Sequence, residues 1–545
     1  MKILLGYCVE KEHRHDYYIT LLPVGLVSIA SYLSFKGYDV TLANFSKKSA
    51  EQILKEIKTI KPHIIGFSLY THNRSITFAI IEKIKTIFPH IVIVLGGPHA
   101  SFLSYEIIAR YKAIDYVVEG EGEEPMLSIV EAIKKGKPIK EKIIKHSTIN
   151  IQTLPYPAQF KGKYVDVNVN EQYKYIITSR GCYHNCTFCD SPSFWGKKVR
   201  FRDIDNVIEE LEALYTKYGI IYFSIRDDNF TVKKDRVQEL SHKLMKKKLY
   251  MMWNCQARVD AVDETMLIAM KKAGLEHIQF GVESGSQKIL LLYNKKISID
   301  KIVRACEATR KVGIYLSVYL MVGMHNETYD DIKKTKKLLA TILPGDCVVS
   351  PVALYPGTQL YEEEKARGNI GDSIWFKKKD AGIFLRNEPI IQDWMNELLM
   401  TTYNLRSKSW YKPNNFAMHH KVVGDCWVTD ILEGDYYLDN EMYPEAAHAY
   451  SKVINAIPQN PWGYMRYGKL HFTMGDYETA MESFLEVTKI VPNYYGGWLK
   501  YAQSCVALGI KDKAQQAISR AMQLNHYDER VKALHALLQK NKMKI

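Results

Sequence analysis

At 545 residues the chain is too long for one hydrophobic core, and its length fits two to four domains. A hydrophobic share of 47% beside 25% charged residues excludes a disordered or fibrous chain, and no apolar run approaches the roughly 18 residues that span a bilayer. The net charge of +14 comes from dispersed lysines that read as solvated helix faces, so nucleic acid is not expected as a partner.

The first residues, MKILLGYCVEKEHRH, turn charged after a short apolar run. That run reads as a first strand and not as a secretory leader, which makes a cytoplasmic location the expectation. Strand-like runs at 2–7, 38–43, 63–68, 91–97 and 116–119 alternate with helical patterns at 26–36, 50–60 and 75–87. The alternation predicts an α/β, doubly wound, Rossmann-like domain over 1–145. Such sheets bind ligands at the carboxyl ends of their strands, here GFSLYTHN, LGGPHAS and VEGEGEEP. Residues 146–172 hold Pro155 and Pro157 without a clear period and read as a linker with room for a short strand.

Strands at 174–178, 220–227, 250–257, 277–282, 315–322 and 346–354 alternate with helices at 205–217, 235–247, 265–273, 299–312 and 330–343. Six βα units in series predict a partial (β/α)6 TIM-like barrel over 173–370, with its site at the carboxyl ends of the strands. The aromatic-rich stretch 371–428 reads as a connecting region that caps the barrel, and core packing explains its rings equally well. From 429 to 545 only helical patterns remain, with a period of 34 residues. Tyr443 matches Tyr477, Ala446 matches Ala480 and Ala514, Pro458 matches Pro492, and Gly475 matches Gly509. An all-α solenoid of stacked helical pairs follows.

Nine cysteines in so long a chain are not a disulfide scaffold. Six are scattered, but Cys182, Cys186 and Cys189 stand as C-x3-C-x2-C in TSRGCYHNCTFCD, directly after the first barrel strand. Three such thiolates can wrap three corners of a cubane iron–sulfur cluster. No fourth cysteine is near, so one iron stays open to the amino and carboxylate groups of S-adenosylmethionine (SAM). Zinc wants four ligands, and His184 lies inside the loop, too close to its neighbours for the usual paired spacing.

The motif resembles the radical SAM superfamily, and the resemblance runs over about 173–368. It implies a [4Fe-4S] cluster on Cys182, Cys186 and Cys189. It also implies a SAM site formed by Phe188, by Asp227, Asp228 and Asn229 after the second strand, by Arg258 after the third, by Glu283 and Ser284 after the fourth and by Gly323 after the fifth. The first domain resembles the cobalamin-binding domain that precedes many such barrels. That likeness places cobalamin against Ser68, Leu69, Gly96, Gly97, Glu119, Gly120 and Glu121. The D-x-H-x-x-G loop of many cobalamin proteins is absent; His13 and His15 stand there without that pattern. The helical period resembles tetratricopeptide repeats, which often bind a protein partner.

The resemblance implies reductive cleavage of SAM to a 5′-deoxyadenosyl radical and methylation of an unactivated carbon or phosphorus. The substrate would be a small molecule, lipid or peptide, and the electron donor a protein such as flavodoxin or ferredoxin. Two alternatives stand beside it: a cobalamin-dependent radical cyclase or rearrangement enzyme, and a cobalamin-sensing or scaffold protein that works through its repeats. RNA methylthiolation would call for a second cysteine triad in the first domain, where only Cys8 stands.

Overall fold

Strand β1 (Lys2–Tyr7) carries Ile3, Leu4 and Leu5, all buried, as a central parallel strand covered on both faces requires. It pairs with β2 (Asp39–Asn44) on one side and β3 (Ile64–Ser68) on the other. Then come β4 (Val92–Gly96), β5 (Tyr116–Glu119) and β6 (Ile143–Lys145), while β7 (Lys163–Val165) lies beyond β2. The all-parallel order is β6-β5-β4-β3-β1-β2-β7, and its direction reverses between β1 and β3. A crevice opens at such a switch point. The structure is a computed structural model that describes residues 1–145, 148–377 and 382–542. Positions 146 and 147 of the expected linker and 378–381 of the connecting region lie outside the described residues. The rest of the linker is not a free tether: its β7 extends the first sheet by pairing with β2.

The second unit begins with β8 (Tyr175–Ile176) and a small antiparallel pair, β9 (Ser179–Arg180) and β10 (Arg200–Phe201). There follow β11 (Tyr222–Ile225), β12 (Met252–Ala257), β13 (Leu275–Glu283), β14 (Tyr315–Val322) and β15 (Asp346–Pro351). The parallel order β15-β14-β13-β12-β11-β8 follows the chain and stays open between its ends, a partial barrel. Alternation along β13 explains its two faces. Ile278, Phe280 and Val282 are fully buried among apolar neighbours. His277 and Gln279 on the other face bond across to β14, His277 Nε2 lying 2.7 Å from Ser317 Oγ. The concave face is therefore polar. Helix Ile299–Val312 shows how the connections are punctuated: Ser298 caps its start by accepting from Lys301 N.

The connecting region is mostly helical, with Pro389–Ser409 packed along β15 and Pro413–Val423 behind the barrel. Helices from Trp427–Asp439 to Glu529–Lys542 form the repeat array. Its first helices share the barrel's core, because Trp427, Val428, Ile431 and Tyr450 join the cluster that holds Met251 and Trp253. Farther along, Asn493 Nδ2 donates to the Thr216 carbonyl at 2.9 Å. The array is thus seated on the catalytic body. Among the described residues no helix is long and apolar enough to cross a membrane.

Candidate active site

The carboxyl ends of both sheets open onto one cavity of about 370 Å³. On the first-domain side it is lined by Gly66, Ser68, Gly96, Gly97, Gly120 and Glu121, at the switch point. On the barrel side Arg180, Asp190, Trp195 and Asp228 complete it. Gly97 has φ +98°, and a Cβ there would lie 2.7 Å from the Leu69 carbonyl oxygen. Only glycine lets the chain turn here and still leave the crevice open. Five of the seven residues expected against cobalamin line the cavity. Leu69 and Glu119 do not: the Leu69 side chain is buried in the core, and Glu119 turns to Ser104 and Lys145. Neighbouring residues on a strand point to opposite faces, so a consecutive run cannot all reach one crevice.

The three cysteines lie on the loop between β9 and β10 as half-buried free thiols. Gly181, at φ +97°, makes the turn before them, where a Cβ would meet the Lys198 carbonyl at 2.9 Å. Burial raises the Cys182 thiol and pushes the Cys189 thiol up to about 12. They therefore need a cationic group to become thiolates. Among the described residues, His420, Asp430 and Glu433 are the group whose donor atoms all lie within 4.8 Å of one another, and the three sulfurs do not gather that closely. A tetrahedral zinc, with Zn–S of about 2.3 Å, would draw its thiolates to about 3.8 Å apart. The wider spread and the donor set fit a cubane-sized group better.

Around this loop the structure gathers most of the residues expected to hold SAM. The Phe188 ring meets Tyr293 edge-on, and the Lys295 ammonium sits 5.7 Å above it. Lys295 Nζ also pairs with Glu283 Oε1 at 2.7 Å, both side chains being nearly buried. Glu283 adopts φ +67° at an irregularity in the β13–β14 register. A non-glycine residue in that region costs about 1–3 kcal/mol and is kept where its side chain must be aimed. Arg258 Nη1 lies 3.8 Å from Cys186 Sγ, while Nε donates to Asp260 Oδ1 at 2.9 Å and Nη2 to the Lys295 carbonyl at 2.7 Å. Asn229 Nδ2 is buried without a hydrogen-bond partner, a donor left over for a ligand. Asp228 is exposed at the cavity and accepts from Gly181 N at 3.3 Å.

Three expected SAM residues are engaged elsewhere. Asp227 accepts from Thr178 N, Thr178 Oγ1 and Ser179 Oγ, each at 2.6 Å, and so braces the chain leading into the cluster loop. Ser284 is buried, with its hydroxyl 3.4 Å from Thr335 Oγ1. Gly323 N donates to Glu327 at 2.6 Å, and burial pushes that carboxyl up to about 7.

Sequence reading missed the partners Lys295, Asp260, Glu123 and Arg180. Arg180 is buried directly before the cluster loop. Its Nη1 donates to Glu121 at 2.5 Å and its Nη2 to Glu123 at 2.6 Å, while the guanidinium lies over Trp195. Arg200 adds a second cation to Glu121 at 2.7 Å. Burial alone would raise the Glu123 carboxyl, but the charge and hydrogen bonds of Arg180 outweigh it and hold the group below its ordinary value. These ion pairs clamp the first sheet to the cysteine loop. The only signals for them were an arginine just before Gly181 and the acid-rich EGEGEE turn.

Residues 176–339 match the radical SAM superfamily, residues 16–130 the B12 binding domain and residues 463–494 a tetratricopeptide repeat. The chain carries a radical SAM domain. A B12 binding domain precedes it in the chain. The chain is 28% identical over 405 residues to an uncharacterized methyltransferase of Pyrococcus horikoshii, covering 70% of this chain and 86% of that protein. It is also 28% identical to the anaerobic magnesium-protoporphyrin IX monomethyl ester cyclase of Rubrivivax gelatinosus, over 65% of this chain and 67% of the relative. The fold is similar to that of the radical SAM methyltransferase TsrM from Kitasatospora setae, solved with cobalamin and a [4Fe-4S] cluster bound. There the TM-score is 0.60 at 16% identity, over 80% of this chain and 95% of that one.

Proposed function

We propose that this radical SAM enzyme is a cobalamin-dependent methyltransferase that methylates an unactivated carbon, or phosphorus, of a small molecule. The observation that carries the reading is the shared cavity, which joins the glycine-lined crevice of the first sheet to the cysteine loop of the barrel. When bound, the cofactors supply a carbon-centred radical and a methyl carrier. The chain's own residues do the rest by placement. Cys182, Cys186 and Cys189 hold three corners of the cluster and leave the fourth for SAM. Glu283, oriented by Lys295, and the free amide of Asn229 bind the polar end of SAM. Arg258 keeps a positive charge beside Cys186. Ser68, Gly96, Gly97 and Gly120 would receive cobalamin, and the Arg180 clamp holds the crevice of the first sheet against the cysteine loop. A cytoplasmic protein such as flavodoxin or ferredoxin delivers the electron, and the outer repeats offer a surface to a protein partner.

The similarity to the Pyrococcus horikoshii methyltransferase supports this reading. The likeness to the Rubrivivax gelatinosus cyclase favours a second one, cobalamin-dependent radical cyclisation. Product analysis separates the two. Anaerobic protein loaded with cluster and cobalamin, given SAM, reductant and extract metabolites, will yield both S-adenosylhomocysteine and 5′-deoxyadenosine if it transfers methyl groups. Formation of 5′-deoxyadenosine alone would replace methyl transfer with cyclisation, and formation of neither would end both readings.

A further inference from the structure

Beside the cofactor cavity lies a second one of about 300 Å³, which shares Pro23, Val24 and Tyr70 with it. Its walls are aromatic, with Tyr7, Tyr18, Tyr70, His72 and Tyr175. Arg226 is the only lysine or arginine among its lining residues, and no aspartate or glutamate lines it. Tyr18 is 64% exposed, so the cavity opens to solvent at its rim.

Arg226 directly follows β11 and by strand alternation shares the polar concave face with Ser224. Its guanidinium carbon lies 5.5 Å from the centre of the Tyr18 ring and 5.2 Å from that of Tyr175. The two rings, one from each domain, hold the flat cation in place. Among the described residues no carboxylate pairs with it. The contrast with its surroundings is sharp, since Arg180, Arg200, Arg202 and Arg258 are each paired with an acid. A half-buried guanidinium that is held by rings but lacks a counter-ion is preorganised for an anion from outside.

We propose that Arg226 anchors the carboxylate of a small substrate with a flat apolar body, seated in this second cavity beside the cofactors. One cation matches one negative charge, and the guanidinium edge suits the two oxygens of a carboxylate. The tyrosines suit a ring system behind it. The amide side chains of a corrin are neutral, and the one anion of cobalamin is the phosphate of its nucleotide tail, which the cobalamin spectrum of the Arg226 variant tests. The assignment rests on the proposed methyltransferase only in that the substrate must lie next to the cofactors.

The test is calorimetry on protein reconstituted with cluster and cobalamin, using indole-3-acetate and its neutral amide, indole-3-acetamide, as probes. Wild type is expected to bind the acid at least tenfold more tightly than the amide. Arg226→Gln is expected to erase that difference while the visible spectra of cluster and cobalamin stay as in wild type. Equal binding of acid and amide to wild type, binding of neither, or discrimination that survives in Arg226→Gln would overturn the proposal. Loss of the bound-cobalamin spectrum in Arg226→Gln would also overturn it, by assigning the residue to the cofactor site, and would leave the methyltransferase reading standing.

Discussion

Replacing Arg180 with methionine tests whether the two domains are clamped through charge. The side chain makes two charge-assisted bonds, to Glu121 and Glu123, and a third contact to Ser28 Oγ at 3.2 Å. Glu121 keeps Arg200 after the change, whereas Glu123 loses its cation, keeps the hydroxyl of Ser28 and a backbone N–H, and stays buried. Leaving one buried carboxylate without its cation costs about 3–5 kcal/mol. The loss should be local, so hydrogen exchange of β9 and of the turn at 121–123 is the assay. The free energy of opening there should fall by about that amount, and Arg180→Met combined with Glu123→Gln should recover about 1–2 kcal/mol of it. The pH dependence has a definite sign. Because Glu123 is held below its ordinary 4.5 when folded, its contribution is present above that pH and is lost as the pH falls through the folded value. Exchange in Arg180→Met within about 0.5 kcal/mol of wild type, or no rescue by the second change, would refute the clamp.

Other changes probe the two cofactor sites. Gly97→Ala puts a Cβ 2.7 Å from the Leu69 carbonyl at φ +98°; a destabilisation of about 1–3 kcal/mol and weakened cobalamin uptake, followed by the visible spectrum of the corrin, are expected. Unchanged melting and uptake would show that the crevice tolerates the methyl. Glu283→Gln keeps the shape of the side chain but removes a charged acceptor. SAM affinity measured by equilibrium dialysis should drop about tenfold or more, since a hydrogen bond to a charged group contributes about 1.5–3 kcal/mol. Equal affinity with an intact cluster would remove Glu283 from the SAM site.

Periodicity made the long elements legible in the sequence, and short or long-range features escaped it. Strand β14 was read at 315–322 and stands at Tyr315–Val322, because eight largely apolar residues are bracketed by clear helices. Strands β6 and β7 were harder: each has three residues at a sheet edge, and β6 sits amid lysines. The cysteine loop was legible because its chemistry is local in sequence. The pairing of Glu283 with Lys295 and the meeting of Arg258 with Cys186, 72 residues away, depend on how β12 and β13 deliver their ends to one place. Asp227 shows the same limit: it stands beside Asp228 in sequence, yet it is buried and accepts from Thr178 and Ser179, a pairing no local pattern announces.

The most direct measurement is metal analysis with electron paramagnetic resonance on protein reconstituted without oxygen and then reduced. The account predicts four irons and four sulfides per chain, a cluster signal that changes when SAM is added, and loss of both in the Cys182→Ala, Cys186→Ala, Cys189→Ala triple variant. Zinc in place of iron, or a signal indifferent to SAM, would contradict it.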